Sequence, residues 1–154
     1  MLVHNQAEYN GKRVSDDGYA EVTLTYEKGM PRSQFKAKAE ALQRLGNEGK
    51  LLKAPNPIKR NTNITRKYKS DFIKRIWKQY GSRNRSFAEK ATYRAIDKMS
   101  PDHVWELQLS GPDDVSNLRM LDRTTNETIG MRQIWPQIRS LPDYTPIRIR
   151  IEGL

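Results

Sequence analysis

The chain has 154 residues, 28 Lys and Arg against 18 Asp and Glu, a formal net charge of +10 and no cysteine. Its length allows one modest core, and the missing cysteines exclude a disulfide framework and a thiolate zinc site. No apolar run is long enough to span a bilayer, and the N-terminus lacks a basic-apolar-small pattern, so neither membrane insertion nor a secretion signal of its own is expected. Hydrophobic residues make up 36%, which predicts a small core and a large solvated surface. The charge is concentrated: Pro31 to Met99 holds 19 Lys and Arg against 5 Asp and Glu, leaving the flanks acidic. Such a basic block favours an anionic partner, nucleic acid first.

Residues 1–18 are polar, with Asn10-Gly11 and Asp16-Asp17-Gly18, and read as a loose lead-in with turns. Tyr19 to Glu27 is β-branched and aromatic with partial alternation and predicts a strand. Pro31 to Leu45 predicts a helix, with Phe35, Ala39, Leu42 and Leu45 inward and Gly46 as its stop. Lys50 to Asn63, with Pro55 and Pro57, reads as a linker or surface loop. Thr65 to Tyr80 carries Tyr68, Phe72, Ile73, Ile76, Trp77 and Tyr80 on one helical face, a pattern that favours core over base stacking. Its other face offers Lys67, Lys74, Arg75 and Lys78 for phosphate contact. Arg85 to Met99 predicts a second helix, with Phe87, Ala91, Ala95, Ile96 and Met99 inward. Beyond the Ser100-Pro101 break, Val104 to Leu109 and Asn117 to Leu121 read as strands. Arg123 to Ile134 reads as a helix, with Pro136 limiting it or marking its last turn. Ile147 to Ile151 alternates with Arg and predicts a closing strand. The class expected is α+β.

Strand, tight turn, strand, helix makes a compact ββα unit around Asp102-His103, one of only two histidines in the chain. The other, His4, lies in the lead-in and reads as incidental. In such a unit the hairpin presents His103 and the helix brings Asn126 back toward it. This suits metal-assisted phosphodiester hydrolysis, which needs a base for water, a cation for the developing charge and a group that orients the base. A neutral imidazole suits the base role. A carboxylate and an amide oxygen suit Mg²⁺, which takes few protein ligands and keeps several waters.

This stretch resembles the HNH (ββα-metal, His-Me finger) nucleases, whose pattern runs Asp-His, an apolar strand, a Gly turn, Asn-Leu and a final His or Asn on a helix. The resemblance covers about 30 of the 154 residues. It implies Asp102 and Asn126 as ligands of one divalent ion, with Mg²⁺ first and Mn²⁺, Zn²⁺ and Ni²⁺ as alternatives. It implies His103 as general base and Asn117 as the catalytic-unit residue that ties the loop and orients that base. Many members brace the unit with zinc-binding cysteines; here apolar packing of Val104, Leu107, Leu109, Leu118, Leu121 and Ile129 must serve instead.

Many members also have Pro where this chain has Glu106. Strand alternation puts Glu106 on the side of Asp102, as a supporting carboxylate, a third metal ligand or the partner of a nearby Arg, the last being the favoured reading. Arg119, Arg123 and Arg132 are candidates for the scissile phosphate or plain surface charges. Thr124, Thr125 and Thr128 offer neighbouring oxygens, and Asp122 is a candidate cap for the helix.

Asp-His-x-x-Glu-Leu-Gln-Leu with Gly-Pro-Asp, Ser-Asn-Leu and Leu-Asp also resembles nuclease toxin domains at the C-termini of bacterial polymorphic toxins and contact-delivered effectors. That likeness implies a single nuclease domain over 19–154, with a mostly helical basic part at about 31–99 packed with a C-terminal ββα-metal motif at about 102–135. It implies a DNA endonuclease carried by a larger delivery protein, acting in the cytoplasm of a target bacterial cell and neutralised by an acidic immunity protein. RNA stays open as the substrate. The alternatives are an RNase toxin and a non-catalytic nucleic-acid-binding module with a decayed ββα unit.

Overall fold

The structure, a computed structural model, describes residues 18–56 and 58–154, together with the backbone of two short strands, β1 (Ala7–Tyr9) and β2 (Lys12–Val14). The lead-in is thus less loose than its composition suggests. β1 and β2 pair antiparallel on either side of Asn10-Gly11, a dipeptide that favours hairpins. Those two residues, like His4, lie outside the described residues. β2 extends a sheet through Val14 opposite Ala20.

The fold is α+β. β3 (Ala20–Thr25) pairs in parallel with β6 (Ile147–Glu152), from Ala20 opposite Ile147 to Thr25 opposite Glu152, and the sheet order is β1-β2-β3-β6. Alternation puts Ala20, Val22 and Leu24 of β3 and Ile147 and Ile149 of β6 into one core. Against them pack Phe35, Ala39 and Leu42 of α1 (Arg32–Asn47), and Ile129, Ile134 and Ile138 from the C-terminal helix. Gly46 is not the stop of α1. It lies inside the helix, where an added Cβ would sit 3.0 Å from the Ile147 carbonyl oxygen, and the left-handed residue that follows the helix is Gly49 (φ +76°).

Residues 51–54 are stitched into the fold rather than linking parts of it. Leu51 and Lys53 are buried, Ala54 N–H donates to Gln108 O at 2.9 Å, and Lys53 N–H donates to Thr145 O at 3.0 Å. The Lys53 ammonium donates to the Leu141 carbonyl at 2.6 Å.

α2 (Thr62–Tyr80) starts on Asn61, whose side chain accepts from Asn63 N–H, and buries no residue completely. The aromatic stripe is therefore a half-buried seam rather than core, with Trp77 at 37% exposure. α3 (Arg85–Asp97) packs on α2 and buries Ala88 and Ala95, the latter as expected, while Phe87 and Ile96 stay exposed. Trp77 Nε1–H of α2 donates to Thr92 Oγ1 of α3 at 2.8 Å. Phe87 meets Tyr80 edge-on at 4.7 Å.

The hairpin strand also departs from expectation. It is β4 (Met99–His103), before the Val104–Leu109 stretch and through Pro101, paired antiparallel with β5 (Leu118–Asp122). A two-stranded ribbon has free edges, so a residue without an N–H is tolerated there. Leu107–Leu109 is a single tight helical turn, and Leu107 and Leu109 are buried while Val104 is only half-buried.

After β5 the chain is helical from Arg123 to Ile138: α4 (Arg123–Glu127), a wide π turn at Thr128–Ile134 and α5 (Trp135–Ile138). Asp122 caps it, accepting from Thr125 N–H at 2.9 Å and Thr125 Oγ1–H at 2.7 Å. Pro136 lies in the last turn of this helix rather than ending it. It cannot donate an N–H, and the preceding backbone slips to i→i−5 bonding, with Trp135 N–H on Gly130 O.

Two glutamines of this helix finish the sheet. Gln133 accepts from Thr25 N–H and donates to Thr25 O at 2.9 and 2.8 Å; Gln137 does the same for Thr23 at 2.9 and 2.7 Å. Each amide stands in for a neighbouring strand on the edge that β2 leaves uncovered. Gln137→Leu orphans both Thr23 groups and is expected to cost about 1–3 kcal/mol in urea denaturation; an unchanged midpoint would show that water replaces the amide without loss.

Candidate active-site cleft

A cleft of about 500 Å³ opens between the β4–β5 hairpin, the C-terminal helix and the segment before α2. Asp102 and His103 enter from β4, Glu106 from the turn behind it, Asn126, Glu127, Gly130 and Met131 from the helix, and Arg60 from the segment. The expected residues Asp102, His103, Glu106 and Asn126 thus share one cavity. The π turn widens the helix on this side.

Asn117 does not line the cleft but builds its wall. Its side-chain NH₂ donates to Trp105 O at 2.8 Å and Pro112 O at 2.9 Å, and its side-chain oxygen accepts from Trp105 N–H at 2.9 Å. Its backbone carbonyl accepts from Val104 N–H at 2.9 Å. One buried amide thereby closes the loop after His103 onto the start of β5. The loop is so tight that a Cβ at Gly111 would run into the Trp105 carbonyl.

The carboxylates meet a residue that sequence reasoning missed. Lys38 of α1 is 4% exposed; its ammonium donates to Asp102 Oδ1 at 2.5 Å and to His103 O at 3.1 Å, and lies 3.3 Å from Glu106 Oε1. Glu106 therefore pairs with a lysine, not an arginine. The only signal was a lysine among the inward positions of an amphipathic helix, a place where a charge needs a partner. Burial alone would push the Lys38 amine down, but the Glu106 and Asp102 carboxylates outweigh burial and hold it above the usual lysine value. Burial pushes the Asp102 carboxyl up to about 6; Lys38 opposes that rise and Glu106 adds to it.

His103 is 3% exposed, and its Nε2 sits 2.8 Å from Asp113 Oδ1. Asp113 Oδ2 accepts from Asn61 N–H at 2.6 Å. That N–H, followed by the His103 ring, holds the Asp113 carboxyl below the usual range.

Among the described residues there is no cluster of three His, Cys, Asp or Glu side chains able to hold a metal ion. The oxygen donors present still fit a hard, largely hydrated cation. Lys38 takes Asp102 Oδ1 and leaves Oδ2; Asn126 donates its NH₂ to Ser100 Oγ at 3.1 Å and keeps its oxygen; Glu106 Oε1 is buried without a hydrogen bond. A Cβ at Gly130 would sit 3.2 Å from that Glu106 oxygen.

None of the three arginine candidates lines the cleft. Arg123 donates to Ile96 O at 2.9 Å and Met99 O at 3.3 Å, closing the end of α3. Arg119 lies opposite Asp102 in the hairpin and lines a smaller cavity of about 150 Å³ on the α1 side. Arg132 is exposed and outside the cleft lining. The cleft arginine is Arg60, from the stretch read as a loop. On α2, Lys67 pairs with Asp71 at 2.6 Å, while Lys74, Arg75 and Lys78 are exposed.

No helix among the described residues is long and apolar enough to cross a membrane. Comparison with protein-family models, curated proteins and solved structures gives no match.

Removing the ammonium leaves two buried carboxylates facing each other. Lys38→Met is expected to lower stability by about 3–5 kcal/mol in urea denaturation at neutral pH. A loss under about 1 kcal/mol would mean that water reaches the pair.

Proposed function

We propose that this chain is a metal-dependent endonuclease of the HNH type that hydrolyses phosphodiester bonds in DNA. The observation that carries the reading is the meeting of Asp102, His103, Glu106 and Asn126 in one cleft, on a hairpin followed by a helix.

In this reading His103 takes the proton from an attacking water. Its Nε2 is engaged by Asp113, which leaves Nδ1 for that task. Asp102 and Asn126 hold a divalent ion, Mg²⁺ first, with Glu106 as a further oxygen beside them. When bound, such an ion stabilises the charge that develops on the phosphate and the departing oxygen. Lys38 fixes the Asp102 carboxylate, and Asn117 fixes the loop that carries the base. Arg60 is placed to meet a phosphate at the cleft. The exposed lysines and arginine of α2 hold the nucleic-acid backbone without reading its sequence.

The toxin setting is an inference from likeness of motif: delivery by a larger protein into a target bacterial cell, with an acidic immunity protein answering the +10 charge. Binding without catalysis is the second reading, favoured by the lack of a three-residue His, Cys, Asp or Glu cluster among the described residues.

Supercoiled DNA, linear DNA and RNA, each with and without Mg²⁺, separate these readings. Wild type is expected to nick and linearise plasmid only with metal, EDTA to stop it, and His103→Ala to lose cleavage while keeping its fold and DNA binding. Undiminished cleavage by His103→Ala would sink the base assignment, and metal-independent cleavage would sink the ligand assignment.

The α2 assignment is read separately by salt titration. Lys74→Ala with Lys78→Ala is expected to weaken DNA binding equally across sequences and to reduce the slope of log K against log salt by about 2. An unchanged slope would place the backbone contacts elsewhere.

A further inference from the structure

Asp113 sits in the Gly111-Pro112-Asp113 turn, between the base and the first turn of α2. Both of its oxygens are committed: Oδ1 to His103 Nε2 at 2.8 Å and Oδ2 to Asn61 N–H at 2.6 Å. The turn itself is pinned by Asn117, which donates to Pro112 O at 2.9 Å. We propose that Asp113 is the positioning residue of the base, holding the His103 ring in one orientation and in the Nε2–H tautomer.

Donors and acceptors decide the tautomer, and the role of His103 as base rests on the nuclease reading of the cleft. An ionised carboxylate can only accept, so the ring nitrogen facing it must carry the proton. Nδ1 then holds the lone pair, and His103 makes no other side-chain hydrogen bond among the described residues. The second oxygen's bond to Asn61 N–H, an exposed contact at the start of α2, favours one orientation of the carboxylate. Asn61 caps that helix with its side chain, accepting from Asn63 N–H at 3.0 Å. Through one carboxylate the base is therefore aligned with the helix proposed to grip the nucleic acid. Orienting a base by its far ring nitrogen is what separates a competent imidazole from one with its lone pair turned away.

Asp113→Asn tests this without changing shape. An amide NH₂ cannot accept from Asn61 N–H, so the amide oxygen stays there and the amide NH₂ turns to the ring. It donates to Nε2 and forces the proton to Nδ1. Nitrogen-15 shifts of the imidazole, taken on the full chain at alkaline pH where the ring is neutral, report the tautomer directly. The chain has two histidines, and His103→Ala identifies the signals of His103.

The expected result is Nε2–H in the wild type, Nδ1–H in Asp113→Asn, an unchanged circular dichroism spectrum and a kcat lower by roughly 10²–10⁴-fold with little change in KM. A wild-type ring in the Nδ1–H form overturns the proposal, and so does an Asp113→Asn variant that keeps both the tautomer and the rate. If the tautomer inverts but the wild type cleaves no nucleic acid, the positioning role stands and the nuclease reading falls.

Discussion

The contact on which the cleft depends is a single buried ammonium. Asp102 and Glu106 are 4% and 7% exposed and project toward the same space, an arrangement that like charges resist. Lys38 reaches them from α1, a helix whose other inward residues belong to the sheet core. The charge cluster thus ties the hairpin to the helix packed on the sheet core. Its net worth to stability is small, since desolvating three ions offsets most of their attraction. Its effect on geometry is larger: the ammonium also donates to the His103 carbonyl, so the end of β4 is fixed in both backbone and side chain.

Around that anchor the polar groups divide their tasks. Asn117 puts three side-chain hydrogen bonds into the backbone of the loop that follows His103, which closes a glycine-bearing turn into a wall. Gln133 and Gln137 each bond both backbone groups of a β3 residue, which holds the helix bearing Asn126 against the sheet. The π turn, which follows Asn126 and contains Gln133, lies where one helix meets the sheet edge on one side and the cleft on the other. Side-chain amides thus hold the hairpin loop and the C-terminal helix in place. They join elements that apolar packing alone would leave in several registers.

Much of the site was legible because its chemistry is local. Asp102, His103, Asn117 and Asn126 lie within one short stretch, and the Asn-Leu strand, the Asp122 cap and the helix follow from propensity and spacing. The boundary of β4 was not, since Pro101 reads as a breaker unless the strand is known to sit in a two-stranded ribbon. Lys38, Arg60 and Asn61 were invisible because they reach the cleft across long sequence separations. Asp113 was visible as a turn residue but not as the partner of a ring ten positions away. The parallel pairing of β3 with β6 was equally hidden: alternation marks a strand and its buried face, and says nothing of which neighbour it takes. On α3, Phe87 and Ile96 read as inward by hydrophobicity, yet both stay exposed while Ala88 joins the expected Ala95 in being buried.

The charge distribution bears on how an anionic substrate could be handled. The chain is strongly basic, but its cleft is not. Asp102, Glu106 and Glu127 line it, and Arg60 is the one lysine or arginine among the lining residues, with Lys38 already committed to two carboxylates behind the wall. The positive surface lies to the side, on α2. A polyanion drawn to that surface would meet repulsion at the cleft unless a cation entered with it or before it. Oxygen donors with spare acceptor capacity, namely Asp102 Oδ2, the Asn126 amide and Glu106 Oε1, are the groups that such a cation would use. On the proposed reading, the acidic cleft and basic flank are therefore complementary. The flank supplies affinity, and the cleft makes phosphate approach conditional on a metal ion at the place where the base is already aligned.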